Sequence, residues 1–200
     1  ENIEERVFLT VKDTLISNGC VFFGAYANRM YLKDLKKFRN RDIPKVPDFD
    51  VLSEDPETTS RMIQERLEEI GIKKIKITKK SGIGEIIAPH YEVSIGPETI
   101  VFIYKPIACH SYNIISIGPS KMRVATLDTM LSFYLAFVYV NRPYYDPNRI
   151  LCMSQFLFKV QEKNRLKQNG LLRRFSMNCY GKQETMEEMR EEKSKKYKEL

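Results

Sequence analysis

Histidine is scarce in this chain: His90 and His110 are the only two, too few for a histidine-based metal centre, so both read as structural residues. Cysteine is sparse as well. Cys20, Cys109, Cys152 and Cys179 form no CxxC pair and have no histidines at zinc spacing, which indicates neither a zinc site nor a disulfide framework. That usage suits a reducing, intracellular compartment. No signal peptide is recognisable. The longest apolar stretch, Met130 to Val140, is too short to span a bilayer and is broken by Ser132, so it reads as a buried helix and no membrane partner is expected. The low hydrophobicity of a disordered chain is lacking too, since 42% of residues are hydrophobic and Tyr and Phe occur eleven times each. The chain should fold.

What is present is length for one sizeable core, or for one compact domain with a helical extension: 200 residues. The net charge of +7 and pI near 9.1 suit a polyanionic partner and equally an ordinary globular protein. The chain begins at Glu1 and ends within a charged helical pattern, so it reads as a piece of a longer protein.

Apolar residues Ile3, Val7, Leu15 and Ile16 recur at helical spacing up to the Asn18-Gly19 stop. Val21 to Phe23 is strand-like and runs into Gly24. From Ala25 to about Lys37 the pattern is helical again, followed by a basic connector, Lys36 to Lys45, and by Pro44 and Pro47. Asp48 to Leu52 reads as a strand with Asp48 and Asp50 on one face and Phe49 and Val51 on the other. Asp55-Pro56 starts a helix that buries Met62, Ile63, Leu67 and Ile70 and closes at Gly71. Three strand-like runs follow, Ile72 to Ile77, Glu85 to Ile95 and Thr99 to Tyr104, with turns at Ser81-Gly82 and Gly96-Pro97.

A helix is predicted from Val124 to Val140 with Thr126 as N-cap, then a Tyr144-to-Pro147 turn, then a second helix from Ile150 to Leu166. Thr185 to Leu200, nearly all Glu, Lys, Arg and Met, reads as a solvated helix with internal ion pairs. The order of elements predicts an α+β fold: a mixed, mostly antiparallel sheet with helices packed on one side, then a helical segment. The expected division is a catalytic domain over residues 1–123, with its N-terminal helix at 1–18, and a helical segment over 124–200 that continues in a longer protein.

Two carboxylates at i and i+2 on a strand aim four oxygens one way, the donor set a hard divalent cation such as Mg2+ requires. Bringing the charges together is costly unless a cation neutralises them. Upstream, Gly24 ends a strand and opens a helix. A glycine there allows a phosphate close to the backbone, where the amides of the helix N-terminus face it. Triphosphate and metal would then meet in one cleft.

Phe23-Gly24-Ala25-Tyr26-Ala27 followed by Pro47-Asp48-Phe49-Asp50-Val51-Leu52-Ser53 resembles the motif of the polymerase-β-type nucleotidyltransferase superfamily. The segments His90–Gly96, Ile103–Asn113, Ala125–Phe137, Asn148–Phe158 and Arg174–Gln183 resemble the poly(A) polymerase catalytic subunit of large nucleocytoplasmic DNA viruses, mimivirus-like and more distantly poxvirus-like. The likeness runs from about Val21 to the end of the chain. Two departures stand out: Gly24 is followed by alanine where many members carry a second glycine or serine, and the gap from Gly24 to Asp48 is longer than in compact members. The second implies an enlarged loop, Lys36 to Pro47, beside the site.

The resemblance implies a polymerase-β-like fold and template-independent addition of AMP from ATP to RNA 3′ ends. It implies two ions of Mg2+ or Mn2+, held by Asp48, Asp50 and a third carboxylate. Glu92 is the choice for that third ligand, mid-strand with apolar neighbours on the opposite face; Glu85 and Glu98 are its rivals nearer turns. Phosphoryl transfer in line from the triphosphate to a hydroxyl needs no protein nucleophile, so Ser53 and Cys109 are given packing or capping roles. Gly24 and Ala25 would contact the triphosphate, Lys105 would neutralise it, and Tyr112 and Asn113 would stack on and hydrogen-bond a base. Lys36-Lys37, Arg165, Lys167 and Arg173-Arg174 could follow an RNA backbone or be plain solvated surface. Relatives of this kind either self-associate as homodimers or work with a viral processivity subunit, in the host cytoplasm or the virion. Two alternatives stay open: a nucleotidyltransferase acting on another acceptor, and a catalytically silent RNA-binding or dimerising module on the same fold.

Overall fold

A computed structural model describes residues 2–31 and 48–199. The Lys36 to Lys45 connector, Pro44, Pro47 and the Lys36-Lys37 pair lie outside the described residues, as does the expected helix beyond Tyr31. Helix α1 (Ile3–Ser17) starts at Asn2, whose side chain accepts the Glu4 N–H, and ends at Asn18 and Gly19, the latter at φ +66°. Strand β1 (Val21–Phe23) passes directly into α2 (Gly24–Tyr31), and β2 (Phe49–Leu52) carries Asp50. Helix α3 (Pro56–Glu69) is capped by Asp55, which accepts the Thr58 N–H at 3.1 Å, with proline in its first turn.

Strands β3 (Ile75–Lys80), β4 (His90–Ile95) and β5 (Glu98–Tyr104) follow. Two of them start later than predicted. Ile72 to Lys74 are spent leaving α3, with Lys74 at φ +61°, and residues 81–89 turn around an Ile83–Ile87 bridge. Strands β6 (His110–Ile117) and β7 (Ser120–Ala125) form a hairpin that is not among the predicted elements. Its Gly118-Pro119 turn matches Gly96-Pro97, which joins β4 to β5; both glycines adopt positive φ, +55° and +57°. Val124 and Ala125 therefore belong to β7, and α4 (Leu127–Val140) starts after Thr126, the predicted cap, whose hydroxyl accepts the Thr129 N–H. Helix α5 (Pro147–Lys163) begins at the Asp146-Pro147 pair, one turn before its predicted start. The two-residue strand β8 (Cys179–Tyr180) and the helix α6 (Met186–Lys198) complete the chain, and no side chain of α6 is buried.

The eight strands form one sheet in the order β3-β4-β5-β2-β1-β7-β6-β8. It is mixed and mostly antiparallel, as predicted; only β1–β7 and β2–β5 run parallel. Alternation along the central strands then places the helices on two faces, not one. Phe22 and Phe49 meet ring to ring at 5.9 Å, and Phe49 stacks on Phe8 of α1 at 5.0 Å. Phe23, the next residue along β1, points the other way and meets Phe133 of α4 at 4.9 Å. Val51, Val93, Val101, Ile103, Met122 and Val124 are fully buried in the core. Removing such side chains from water is the main favourable term in folding. The outer edge of β3 carries exposed lysines Lys76, Lys79 and Lys80.

Against the expectation from the cysteine pattern, Cys109 and Cys179 form a disulfide, with Cα atoms 5.1 Å apart. The partners are 70 residues apart and meet because β8 pairs with the start of β6, Ser111 opposite Cys179 and His110 opposite Tyr180. Spacing in the sequence carries no trace of that pairing. Among the described residues no helix is long and apolar enough to cross a membrane.

Candidate active site

The site forms where β1 gives way to α2. Phe23 pairs with Asp50 across β1 and β2, so the residue after Phe23 lies beside the Asp50 carboxylate. That residue is Gly24, at φ +71°. A Cβ built on it would lie 2.8 Å from Asp50 Cγ and 2.9 Å from Asp50 Cβ, and closer still to a carboxylate oxygen. Only glycine fits this backbone conformation and this contact. Ala25 follows in the first turn of α2, half-buried, where the amides at the helix start carry partial positive charge.

Asp48 stands exposed just before β2, and Asp50 is partly covered within it. Burial, then the neighbouring Asp48 charge, push the Asp50 carboxyl up from 3.8 to about 7, against the opposing pull of Arg149. Asp48 is raised as well, by desolvation first, with Arg149 lowering it and Glu92 and Glu98 raising it. Neither carboxylate appears in any hydrogen bond or salt bridge among the described residues. Two crowded, under-compensated carboxylates with only oxygen donors fit a hard divalent cation.

Glu92 lies in the same row of the sheet. It pairs with Phe102, and Phe102 pairs with Asp50, so all three side chains share a face. Two strand spacings, about 10 Å, separate the Glu92 backbone from that of Asp50. The Phe102 ring belongs to the strand between them. The Glu92 carboxylate is engaged elsewhere: Thr99 donates a hydrogen bond to it, and Lys80 Nζ lies 3.1 Å away. Burial would raise this carboxyl, but those two partners outweigh it and hold it below its ordinary value. Among the described residues no group of three or more His, Cys, Asp or Glu side chains is gathered to hold a metal ion. The structure thus joins Gly24, Asp48 and Asp50, while Glu92, whose charge reaches Asp48, is bonded to Thr99 and Lys80 instead of converging on the pair. Of the rivals, Glu98 opens β5 and Glu85 lies in the turn before β4; both are exposed.

The remaining predicted residues lie elsewhere. Lys105 follows β5 beyond Tyr104, which pairs with Leu52 at the end of β2 remote from Asp48. It borders a half-open apolar pocket with Phe23, His110, Phe133 and Phe137. Tyr112 and Asn113 sit in β6, separated from β2 by β1 and β7, and both are buried. The Asn113 side chain donates to Arg173 O at 2.7 Å, and Tyr112 O accepts from Ser176 Oγ at 2.6 Å; they fasten the C-terminal segment and do not face the acids. Ser53 Oγ and Thr59 Oγ1 are hydrogen-bonded at 2.8 Å, and Ser53 Oγ accepts the Asp55 N–H, which ties the end of β2 to the start of α3. His90 is buried, stacked on Tyr104 at 4.3 Å with Nδ1 3.0 Å from Ala88 O.

Arg149 is the residue that sequence reading missed. It lies in the first turn of α5, and α5 packs on α2, where the Asn28 side chain donates to Met153 O at 3.4 Å. Its charge reaches both Asp48 and Asp50. About a hundred residues of sequence separate it from them, so no local spacing could reveal it.

A strand, a glycine-led helix and a second strand bearing Asp-x-Asp, set in this mixed sheet, define the polymerase-β-type nucleotidyltransferase fold. The chain is similar in structure to the Megavirus polyadenylate synthase, with a TM-score of 0.71 over 98% of this chain and 43% of that one, at 13% identity. It thus spans less than half the length of that synthase. Further similar structures are the antibiotic-resistance factor ANT(2'')-Ia in solution (TM-score 0.47, 11% identity, 85% of this chain and 89% of that one) and ANT(2'')-Ia in complex with adenylyl-2''-tobramycin (TM-score 0.44, 13% identity, 81% and 96%). No family model matches the chain, and no curated protein matches its sequence.

Proposed function

We propose that this chain is a nucleotidyltransferase that adds AMP from ATP to the 3′ ends of RNA without a template. The observation that carries this reading is the contact between Gly24 and Asp50, which sets a helix N-terminus suited to phosphate directly against an acidic pair suited to a divalent cation. The fold it shares with a viral polyadenylate synthase supports nucleotidyl transfer and suggests the acceptor.

In this reading Gly24 and Ala25 admit the triphosphate to the backbone amides of α2. Asp48 and Asp50 would hold Mg2+ or Mn2+, which when bound supplies activation of the attacking hydroxyl and neutralisation of the leaving pyrophosphate. The RNA 3′ oxygen bonds to the α-phosphorus, the bond to the pyrophosphate oxygen breaks, and the hydroxyl proton passes to solvent. Arg149 places a fixed positive charge over the same cleft and offsets the negative charge gathered there. Asp48 and Asp50 act as ligands, not as a general acid and base. Glu92 enters as the third carboxylate, and to reach the pair it must leave Lys80 and Thr99.

Purified protein with ATP, Mg2+ or Mn2+ and a labelled RNA primer should lengthen the primer, and the Asp48→Ala, Asp50→Ala double variant should not. Equal extension by that variant would sink the proposal. Incubating labelled ATP with RNA, protein and aminoglycoside acceptors side by side separates RNA addition from transfer to another acceptor. The position of Glu92, apart from the aspartates, favours one second reading: a silent RNA-binding module on this fold. In that case no nucleotide enters any acceptor with either metal, and RNA affinity survives loss of both aspartates.

A further inference from the structure

The stretch from Lys163 to Asn178 contains five basic and no acidic residues, and it holds large apolar side chains in water. Phe175 is 80% exposed and Met177 fully so. Isolated exposed apolar residues need no explanation, but these two are kept outward by construction. The backbone on either side is tied down on the inner side: Asn113 donates to Arg173 O, Ser176 donates to Tyr112 O, the Tyr112 N–H donates to Asn178 O at 3.1 Å, and Cys179 is bonded to Cys109. Ser176 is spent on the inner side, so its neighbours Phe175 and Met177 face out.

One cation lies beside the ring. The Arg174 guanidinium lies 5.7 Å from the Phe175 ring centroid and is itself held by Asp128 at 3.4 Å. The Arg174 N–H donates to Gln168 Oε1 at 3.1 Å, which draws the stretch carrying Arg165 and Lys167 alongside. Arg165, Lys167 and Arg173 are exposed and take part in none of the salt bridges among the described residues.

We infer that this fastened strip is a docking surface for single-stranded RNA, with Phe175 as a stacking platform for a base and Arg173, Arg165 and Lys167 as its phosphate contacts. A single strand offers unpaired base faces and a regular row of phosphates, and it satisfies ring and cations together. A duplex hides its base faces. An acidic peptide would engage the cations and leave Phe175 and Met177 in water. The inference rests on the reading that the acceptor is RNA, yet it concerns binding and not chemistry, so the two can fail separately.

The test is fluorescence anisotropy of a labelled fifteen-nucleotide RNA with the full chain in EDTA, without ATP. Phe175→Ala should weaken binding about fivefold or more, as loss of a base stack does, with Phe175→Trp restoring it. Arg173→Ala should instead reduce the slope of log affinity against log salt by about 0.7, the value for one phosphate contact on a single strand. Because both side chains are exposed, circular dichroism should show unchanged folding. Undiminished binding by Phe175→Ala overturns the inference, as does displacement of the RNA by poly-glutamate with equal effect in wild type and Phe175→Ala. Phe175-dependent binding without primer extension sinks the proposed reaction and leaves this surface standing.

Discussion

Gly24 packs its bare Cα against the carboxylate of Asp50, at a φ of +71° that side-chain-bearing residues rarely adopt. Two independent constraints, conformation and space, therefore meet at one position. Gly24→Ala should cost about 1–3 kcal/mol in backbone strain, a fall of several degrees in melting temperature for a chain of this size. The displaced Asp50 should cost nucleotide incorporation on the order of a hundredfold. A melting curve and a primer-extension time course measure both; wild-type incorporation by Gly24→Ala would separate the glycine from the reaction.

The crowding of Asp50 predicts a pH dependence of stability in the absence of metal. Its carboxyl titrates at about 7 in the folded protein, above the ordinary value of 3.8. The unfolded chain then loses this proton first as pH rises, so stability falls between roughly pH 4 and 7 and is level above that range as far as this group is concerned. Asp50→Asn should flatten that fall and melt higher than wild type in EDTA at pH 8. Adding Mg2+ should raise the wild-type melting temperature and leave Asp50→Asn unmoved. Equal Mg2+ shifts in both proteins would remove Asp50 from the cation site.

Glu92 can be tested without disturbing the fold, because glutamine keeps the hydrogen bond from Thr99 and gives up only the charge of its pair with the half-exposed Lys80. If Glu92 is the third ligand, Glu92→Gln should lower kcat for incorporation at least about tenfold with little change in the KM for ATP. Unchanged kcat would leave Glu92 as a partner of Lys80 and nothing more.

The four cysteines should respond in three ways. Cys152 is exposed and should alkylate quickly, whereas Cys20 is buried with its thiol pushed up to about 12 and should react only after unfolding. Cys109 and Cys179 should resist alkylation until reduced. Closing a 70-residue loop contributes up to about 4 kcal/mol on a chain-entropy account, so reductant should lower the melting temperature by several degrees. Peptide mapping under non-reducing conditions checks the pairing directly.

Much of the architecture was legible because local rules governed it. Gly24, the Asp-x-Asp alternation, the Asp55-Pro56 start and the Thr126 cap each act over four residues or fewer, and each stands where the sequence located it. The β6–β7 hairpin is not predicted, although its Ser116-Ile117-Gly118-Pro119 turn repeats Ser94-Ile95-Gly96-Pro97, where the predicted turn joins β4 to β5. The long apolar run after Val124 drew the last residues of β7 into a helix, since periodicity alone does not part a buried strand from a buried helix. The disulfide, Arg149 and the isolation of Glu92 depend on which strands and helices become neighbours. A mid-strand carboxylate looks the same in sequence whether one strand or two divide it from its partner.

The two rims of the sheet end in different ways with one consequence. At one rim β3 faces solvent with Lys76, Lys79 and Lys80; at the other, a strand of two residues, stapled by sulfur, takes up the start of β6 and offers little ladder of its own. Charge guards the first border, and at the second β8 covers residues 110–111 of β6, so a chain lengthening the sheet meets cations on one side and a stapled entry on the other. Crowding this protein at high concentration should therefore favour contacts through its helical faces over growth of cross-chain β-structure.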